Sequence, residues 1–560
     1  MVADRDLGNR LVFSPTLGAA SEHGVVSAPH ILASQSGLRV LNNGGNAIEA
    51  AIAIAATLSV VYPHMTGLGG DAFWLIGNID GSVLGLDGAG TAAQLASPEY
   101  YLAGGRQRIP ERGPLAANTV AGAVSTWDAA YVHSRERWDG TKNWGDLLDD
   151  AVWYAFSGCP VSRSLHLVLT DKLMELVNAS PRFQAVFLAN GHAPDAGSTL
   201  RQRALGESLT QLQRFGAEDF YRGDLGARMA RGLAEQGSPL SAQDLAFFNA
   251  RWVEPLRCPY GEGELVNLPP PTQGLSSLML LALMERTRTA GMEPFGAEYL
   301  HHAVEATKLV FMLRDHYIAD PDYMSISVND LLTPDFLDEL ASRIDPGMVR
   351  SYGDGAGPGD TVWFGVADRE GRTVSVIQSL YYEFGSTVMA GDTGILWQNR
   401  GCSFSLDRGS ANVLVPRKRP FHTLNPAMYI KNGKVHLAYG TMGGDGQPQT
   451  QAALASRVLD HGMSLTDAIG RPRWLLGRTW GDMSSSLKLE RGYPAETFHQ
   501  LKMKGHPVEW VAKHSSIFGH AGMIRIGGSD SHMCRHAYGY GENTKDKNQD
   551  RDQDDPAANP

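Results

Sequence analysis

The stretch from Thr361 to Ser379 constrains this chain more tightly than any other. Two alternating runs, Thr361 to Ala367 and Thr373 to Ser379, flank Asp368-Arg369-Glu370-Gly371-Arg372. A three-residue loop with glycine in its last, left-handed position closes a β-hairpin, and Arg369-Glu370-Gly371 fits that pattern. Centring the hairpin on Glu370 sets Asp368 opposite Arg372 and Thr361 opposite Ser379, with Tyr381 just beyond. A bulge would shift that register by one residue. Directly before Thr361 runs Gly353-Asp354-Gly355-Ala356-Gly357-Pro358-Gly359-Asp360, a flexible approach in mid-chain. Thr361 is thus the first strand residue after a loop open to cutting.

A second hairpin follows the same logic. Asn425 to Ile430 leads through Lys431-Asn432-Gly433-Lys434 into Val435 to Gly440, and Asn-Gly between apolar runs is a strong turn signal. With Asn432-Gly433 as the turn, His422 is expected opposite Gly443 and Thr423 opposite Met442. Backbone N–H groups freed by Gly443-Gly444 would be donors for an oxyanion; the alternative is a plain glycine turn.

Several segments resemble the γ-glutamyltranspeptidase family. In the second half these are GDTVWFGVAD (Gly359 to Asp368), FGS (Phe384 to Ser386), KRPFHTLNPAM (Lys418 to Met428) and GTMGG (Gly440 to Gly444). In the first half they are Val25 to Ala53, YPHMTGLGGDAFW (Tyr62 to Trp74), NTVAGA (Asn118 to Ala123), NLPPPTQG (Asn267 to Gly274) and His301 to Tyr323. They occur in the family's order, and the resemblance covers the chain from about Val25 to about Gly541. Within the family, the Gly-Asp-Thr and Phe-His-Thr motifs resemble the oxamate amidohydrolase branch.

The resemblance implies an α/β (α+β) fold, the four-layer αββα sandwich of N-terminal nucleophile hydrolases. It also implies self-cleavage between Asp360 and Thr361, giving a large segment 1–360 and a small segment 361–541 that remain associated; the composition of 542–560, with no aromatic residue and no aliphatic one larger than Ala, reads as an acidic, disordered tail. No metal and no cofactor is implied. A threonine hydroxyl is weakly nucleophilic near neutrality and needs a base. Cleavage would supply one: the new α-amino group of Thr361 has an unperturbed pKa of roughly 7.7–8.0. By the same resemblance Ser379 assists the nucleophile, and Gly443 and Gly444 form the oxyanion hole.

The substrate positions depart from the family. Relatives hold a γ-glutamyl carboxylate with an Arg, and Ala89 stands there. Their amine-reading Asp matches Ser403, their Asn after the second strand matches Tyr381, and their paired serines match His422 and Thr423. Arg400 and His422 remain as cationic candidates for a substrate carboxylate. For Arg400 the alternative is a surface ion pair; for His422, a satisfied polar residue in a cleft. Leu406 to Lys418 is short where many relatives carry a lid, so an open site and water as acceptor are expected. The expected activity is hydrolysis of a small carboxylate-bearing amide or γ-glutamyl-like compound. The alternatives are a true γ-glutamyltransferase/glutathione hydrolase, and an unprocessed, non-catalytic binding protein.

Composition excludes other classes. With 43% apolar and 19% charged residues, the 560-residue chain reads as a globular protein large enough for several domains. A formal net charge of −11 argues against nucleic acid or an anionic membrane as partner. Cys159, Cys258, Cys402 and Cys534 are scattered, without zinc spacing or a disulfide framework. The first residues lack a secretory pattern, and a cytoplasmic location is expected; a homodimer is left open. Ala47 to Val61 is shorter than a membrane span and reads as a core helix capped by Asn46. Helical periodicity marks Trp144 to Phe156, Ser198 to Leu212, Leu225 to Gln236, Leu275 to Thr287 and Tyr299 to Ile318. The last contains His301, His302 and Glu305, a spacing that permits a metal but lacks an HExxH motif; structural contacts are expected there.

Overall fold

The computed structural model describes residues 17–351, 360–477, 485–527 and 535–539. The expected tail after Gly541 and most of the Gly-rich approach to Thr361 lie outside these residues. The chain is continuous from Asp360 into Thr361, both in the strand Asp360–Asp368.

Two sheets form the centre. A six-stranded sheet has the order Gly24–Ser27, Asp360–Asp368, Thr373–Tyr381, Asp71–Gly77, Val83–Asp87, Arg251–Val253. A seven-stranded sheet has the order Leu17–Ser21, Arg535–Gly539, Ala521–Arg525, Lys434–Thr441, Ala427–Lys431, Gly263–Asn267, Leu256–Tyr260. Three apolar clusters mark three interlayer spaces. Phe73, Leu75, Ile377, Met428, Ala438 and Ile524 fill the space between the sheets. Ile52, Ala56, Trp127 and Phe364 belong to the cluster joining helices to the six-stranded sheet. Leu278, Val304, Leu437 and Leu454 belong to the one joining helices to the seven-stranded sheet. Helix, sheet, sheet, helix is the four-layer αββα sandwich. Strands that face helices on one side and a second sheet on the other are buried on both faces, as in Thr373–Tyr381.

The helix Ala47–Val61 is buried on every side, and small alanines let it pack that closely. Its start is a capping box: Asn46 Oδ1 accepts from the Glu49 amide at 3.1 Å, and Glu49 Oε2 from the Asn46 amide at 2.8 Å. The expected helices appear as Trp144–Ser157, Asp224–Gln236, Gly274–Arg286 and Ala297–Tyr317. The one expected from Ser198 begins later, as Arg203–Phe215, because Thr199–Leu200 pairs with Cys159–Pro160. No helix among the described residues is long and apolar enough to cross a membrane.

The first hairpin has the expected register. Ala367 pairs with Thr373 and Val362 with Gln378, and Gly371 takes φ 92° at the turn. A bulge between Asp360 and Val362 then sets Asp360 against Tyr381, so the expected pairing of Thr361 with Ser379 is replaced at this end of the hairpin. The second hairpin corrects the expectation. Lys431 pairs with Lys434 and Ile430 with Val435, but a bulge between Tyr429 and Ile430 shifts every later pair by one. The strand begins only at Ala427, so His422 does not lie opposite Gly443, nor Thr423 opposite Met442.

His301 and Glu305 lie in a polar cluster with His506. His301 Nδ1 is 2.8 Å from His506 Nε2, and its Nε2 is 2.8 Å from the Asp345 carbonyl. Glu305 receives the Lys308 ammonium at 2.7 Å and the Arg350 amide at 3.1 Å. The Lys308 cation thus occupies the carboxylate that a metal would need. His302 is not a member of this cluster.

Buried His30 gives a pH prediction. It caps the helix Ile31–Asn42, with Nδ1 accepting from the Leu32 amide, and burial pushes its pKa down to about 4. The unfolded chain takes a proton on this group near pH 6.5, and the folded one holds it off until about 4. Stability is therefore complete above 6.5 and is lost as pH falls between the two, by about 3 kcal/mol at full effect. The apparent Tm should drop across that interval, and less so in His30→Asn, which keeps a capping acceptor without the titration.

Candidate active site

Packing between the sheets fixes Thr361. Two residues along its strand, the Trp363 indole lies against Gly440 and Gly522 of the other sheet, where an added Cβ would stand 2.2–2.3 Å from the ring. Only glycine permits that approach, and it brings the start of the Thr361 strand over the end of Lys434–Thr441. That strand runs into Met442-Gly443-Gly444 and then the helix Gly446–Leu459. Gln447, in the first turn of this helix, points Nε2 at Thr361 Oγ1 from 3.4 Å. Its Oε1 accepts from the Asn425 amide at 3.3 Å and from Asn425 Nδ2 at 3.2 Å.

Gly443 and Gly444 take φ 116° and 49°. The Gly443 carbonyl accepts from the Gly446 amide at 2.7 Å, and that of Gly444 from the Gln447 amide at 3.2 Å. With the carbonyls turned into the helix start, the Gly443 and Gly444 amides have no acceptor among the described residues. A helix N-terminus adds a favourable dipole for an anion there.

What ties this loop to Thr423 is Gln273, not a strand ladder. Gln273 Nε2 donates to the Thr423 carbonyl at 2.6 Å and to the Gly444 carbonyl at 2.8 Å. Its Oε1 is held by Arg314 Nη1 at 3.1 Å, and Arg314 also pairs with Asp445 at 2.9 Å, both side chains buried. His422 is anchored on the same segment: its amide donates to the Pro271 carbonyl and its carbonyl accepts from the Gln273 amide.

Ser379 is buried, its Oγ accepting from the Tyr381 amide at 2.7 Å. Tyr381 has φ 82°, a strained value for a tyrosine, and its ring carries the Arg400 guanidinium at 3.7 Å. Arg400 is fully buried, which removes the surface ion pair as an account of it. Nη1 donates to Thr423 Oγ1 at 3.3 Å, while Nε and Nη2 have no partner among the described residues. Ser403 is half-buried and donates to the Phe421 carbonyl at 3.3 Å. Ala89 is buried, its amide bonded to Asp87, and it lines a cavity of about 320 Å³ whose walls do not include Thr361 or Arg400.

His422 is fully buried, 3.0 Å from Asp71 Oδ2 through Nε2, without the alignment of a hydrogen bond. Burial and the cations Arg400 and Arg419 keep its pKa well below the usual value, so it is a neutral imidazole and not the expected cation. Thr361, Arg400 and His422 are all closed from solvent in the uncut chain, where an open site was expected. Asp71, Gln273, Asn425, Arg314 and Gln447 were not singled out from sequence. Asp71 left a signal, a carboxylate opening an otherwise apolar buried strand.

A four-layer sandwich that places a threonine at the start of an inner strand, beside two free backbone amides, is the architecture of an N-terminal nucleophile hydrolase. The comparisons agree. The sequence profile "Gamma-glutamyltranspeptidase" matches residues 33–549, and the chain belongs to that family. It is 49% identical to the oxamate amidohydrolase proenzyme of Klebsiella pneumoniae over 504 residues, covering 90% of this chain and 94% of that protein. It is 40% identical to the glutathione hydrolase-like YwrD proenzyme of Bacillus subtilis, covering 90% and 94%. A cephalosporin acylase from Bacillus halodurans superposes with a TM-score of 0.84 at 30% identity, covering 93% and 94%. Members of this family are self-processing hydrolases, and the chain is an enzyme of that kind.

Proposed function

We propose that this enzyme hydrolyses a small amide bearing a carboxylate next to the scissile carbonyl, through an acyl-enzyme on Thr361. Cleavage at Asp360–Thr361 supplies the amine base. Strands from both sides of that bond are hydrogen-bonded to one another in both sheets, so the two segments stay associated. Thr361 Oγ attacks the amide carbon as its proton passes to the α-amino group. The oxyanion takes the Gly443 and Gly444 amides, and Ser379 supports the nucleophile. The amine's proton goes to the leaving nitrogen, and water then hydrolyses the ester. The free Cys159, Cys258 and Cys402 suit a reducing, cytoplasmic setting.

One observation carries the substrate class: the buried Arg400 with Nε and Nη2 unpartnered. A buried guanidinium lacking an anion is unfavourable by several kcal/mol, and a carboxylate accepting from both nitrogens side-on relieves this. Tyr381 under Arg400 pairs with Asp360, the neighbour of Thr361, and Thr423 beside it is tied by Gln273 to Gly444. The carboxylate would therefore lie close to the reacting carbonyl, as in oxamate, the substrate in the name of the Klebsiella relative. Ser403, Thr423, Tyr381 and His422 complete the wall.

Asp71 favours a second reading, glutathione hydrolysis, since an ionised Asp71 could receive the ammonium of a γ-glutamyl group. Comparison of kcat/KM for oxamate, glutathione and a γ-glutamyl anilide separates the two. Oxamate is expected to lead, with no stimulation by a dipeptide acceptor; preference for glutathione with such stimulation would reverse the assignment.

A further inference from the structure

Asp71 opens the strand Asp71–Gly77 and pairs with Ser379 in the ladder. Its Oδ1 accepts from the Gly122 amide and from Gln398 Nε2, each at 2.9 Å. Oδ2 accepts from nothing among the described residues, and 3.0 Å away His422 Nε2 is likewise unpartnered. The His422 ring is held edge-on to Phe73 with centroids 4.8 Å apart, so it remains near Asp71. Arg400, which bears the two unpartnered nitrogens, acts electrostatically on both groups.

We infer that Asp71 and His422 share a proton, and that the charge of this couple decides which acyl group the chamber accepts. Resting on the carboxylate reading of Arg400, the argument is one of charge. With Asp71 protonated and His422 neutral, the chamber carries the Arg400 charge alone and suits an anion. With Asp71 ionised, the acid cancels Arg400, and the chamber suits a neutral or zwitterionic ligand instead. Binding a carboxylate therefore draws a proton from solvent onto the couple.

The surroundings place that switch near neutrality. Burial raises the Asp71 carboxyl to about 7, against the pull of its hydrogen bonds and of Arg400. The other groups facing the couple do not titrate there. Arg419 is locked between Asp87 at 2.8 Å and Asp320 at 2.6 Å, and burial raises the Tyr221 and Tyr381 hydroxyls. Asp71 acts through Arg400 and His422 and is a positioning residue.

The test is calorimetry of the purified protein with oxalate, a non-hydrolysable dicarboxylate, in buffers of different ionisation enthalpy. Proton uptake should approach one per site near pH 8 and fade towards pH 5.5. The apparent Kd should rise about tenfold from pH 6 to pH 8, the value for a group of pKa about 7 that must be protonated to bind. Difference infrared spectroscopy should show a carboxylic-acid C=O band appearing on oxalate addition, a signature the Thr361 amine cannot produce. In Asp71→Asn that band and the pH dependence of Kd should vanish, and oxalate should bind about tenfold tighter than wild type at pH 8. Oxalate binding without a new carboxylic-acid band in the wild-type protein overturns this inference and leaves the carboxylate reading intact. Absence of oxalate binding at every pH overturns both.

Discussion

Thr361→Ala is expected to accumulate as one uncut chain with no measurable amidohydrolase activity, a loss of at least about 10⁴-fold. The reason is double. In the proposed mechanism the hydroxyl held at 3.4 Å by Gln447 is the attacking group both in chain cleavage and in turnover, and without cleavage no α-amino base forms beside it. Wild type should yield a second chain beginning Thr361-Val362-Trp363, read by N-terminal sequencing; any other start removes Thr361 from its role. Thr361→Ser keeps a hydroxyl and should still be processed. The kcat of the processed enzyme should rise with pH through an ionisation at roughly 7.7–8.0, the range of an unperturbed α-amino group.

Arg400→Ala should lower kcat/KM for oxamate by about 10²–10³-fold, roughly 3–4 kcal/mol for a buried, charge-assisted pair. If the carboxylate is held alike in ground and transition states the loss falls on KM; if Arg400 also aligns the carbonyl, kcat falls too. Arg400→Lys should recover little, since one ammonium cannot reproduce the side-on pair or lie flat on Tyr381 at 3.7 Å. Chain cleavage does not need the substrate carboxylate and should proceed in both variants, which separates lost recognition from misfolding. Undiminished oxamate turnover in processed Arg400→Ala would remove the carboxylate assignment.

The sequence by itself determined many of the elements, including the hairpin that carries Thr361 and Ser379. The hairpin from Thr361 to Ser379 was legible because a period of two and a Gly371 turn are local properties. The cap at Asn46 was legible for the same reason, and ordered motifs across the chain were enough to imply the family and its layers. The Asn432-Gly433 turn was placed correctly, but the bulge at Tyr429 and Ile430 was not, since an extra residue in a strand leaves no mark in an apolar pattern. His422 and Gly443 consequently needed the tertiary structure to be placed.

Only that structure decided the surroundings of the proposed substrate wall. Arg400 could have been a surface residue on sequence alone; burial under Thr423 and over Tyr381 depends on how the two sheets close. Gln273, Thr423 and Gly444 come from three separate segments, and one side-chain amide joins them. Asp71 and His422 lie in opposite halves of the chain, on a strand and a loop with no local reason to meet. Their low-dielectric surroundings, set by packing and not by either residue's neighbours in sequence, raise the carboxyl and hold the imidazole neutral. Periodicity and turn chemistry act over a few residues and can be read along the chain, whereas charge, desolvation and hydrogen-bond partnership exist only once distant segments are packed together.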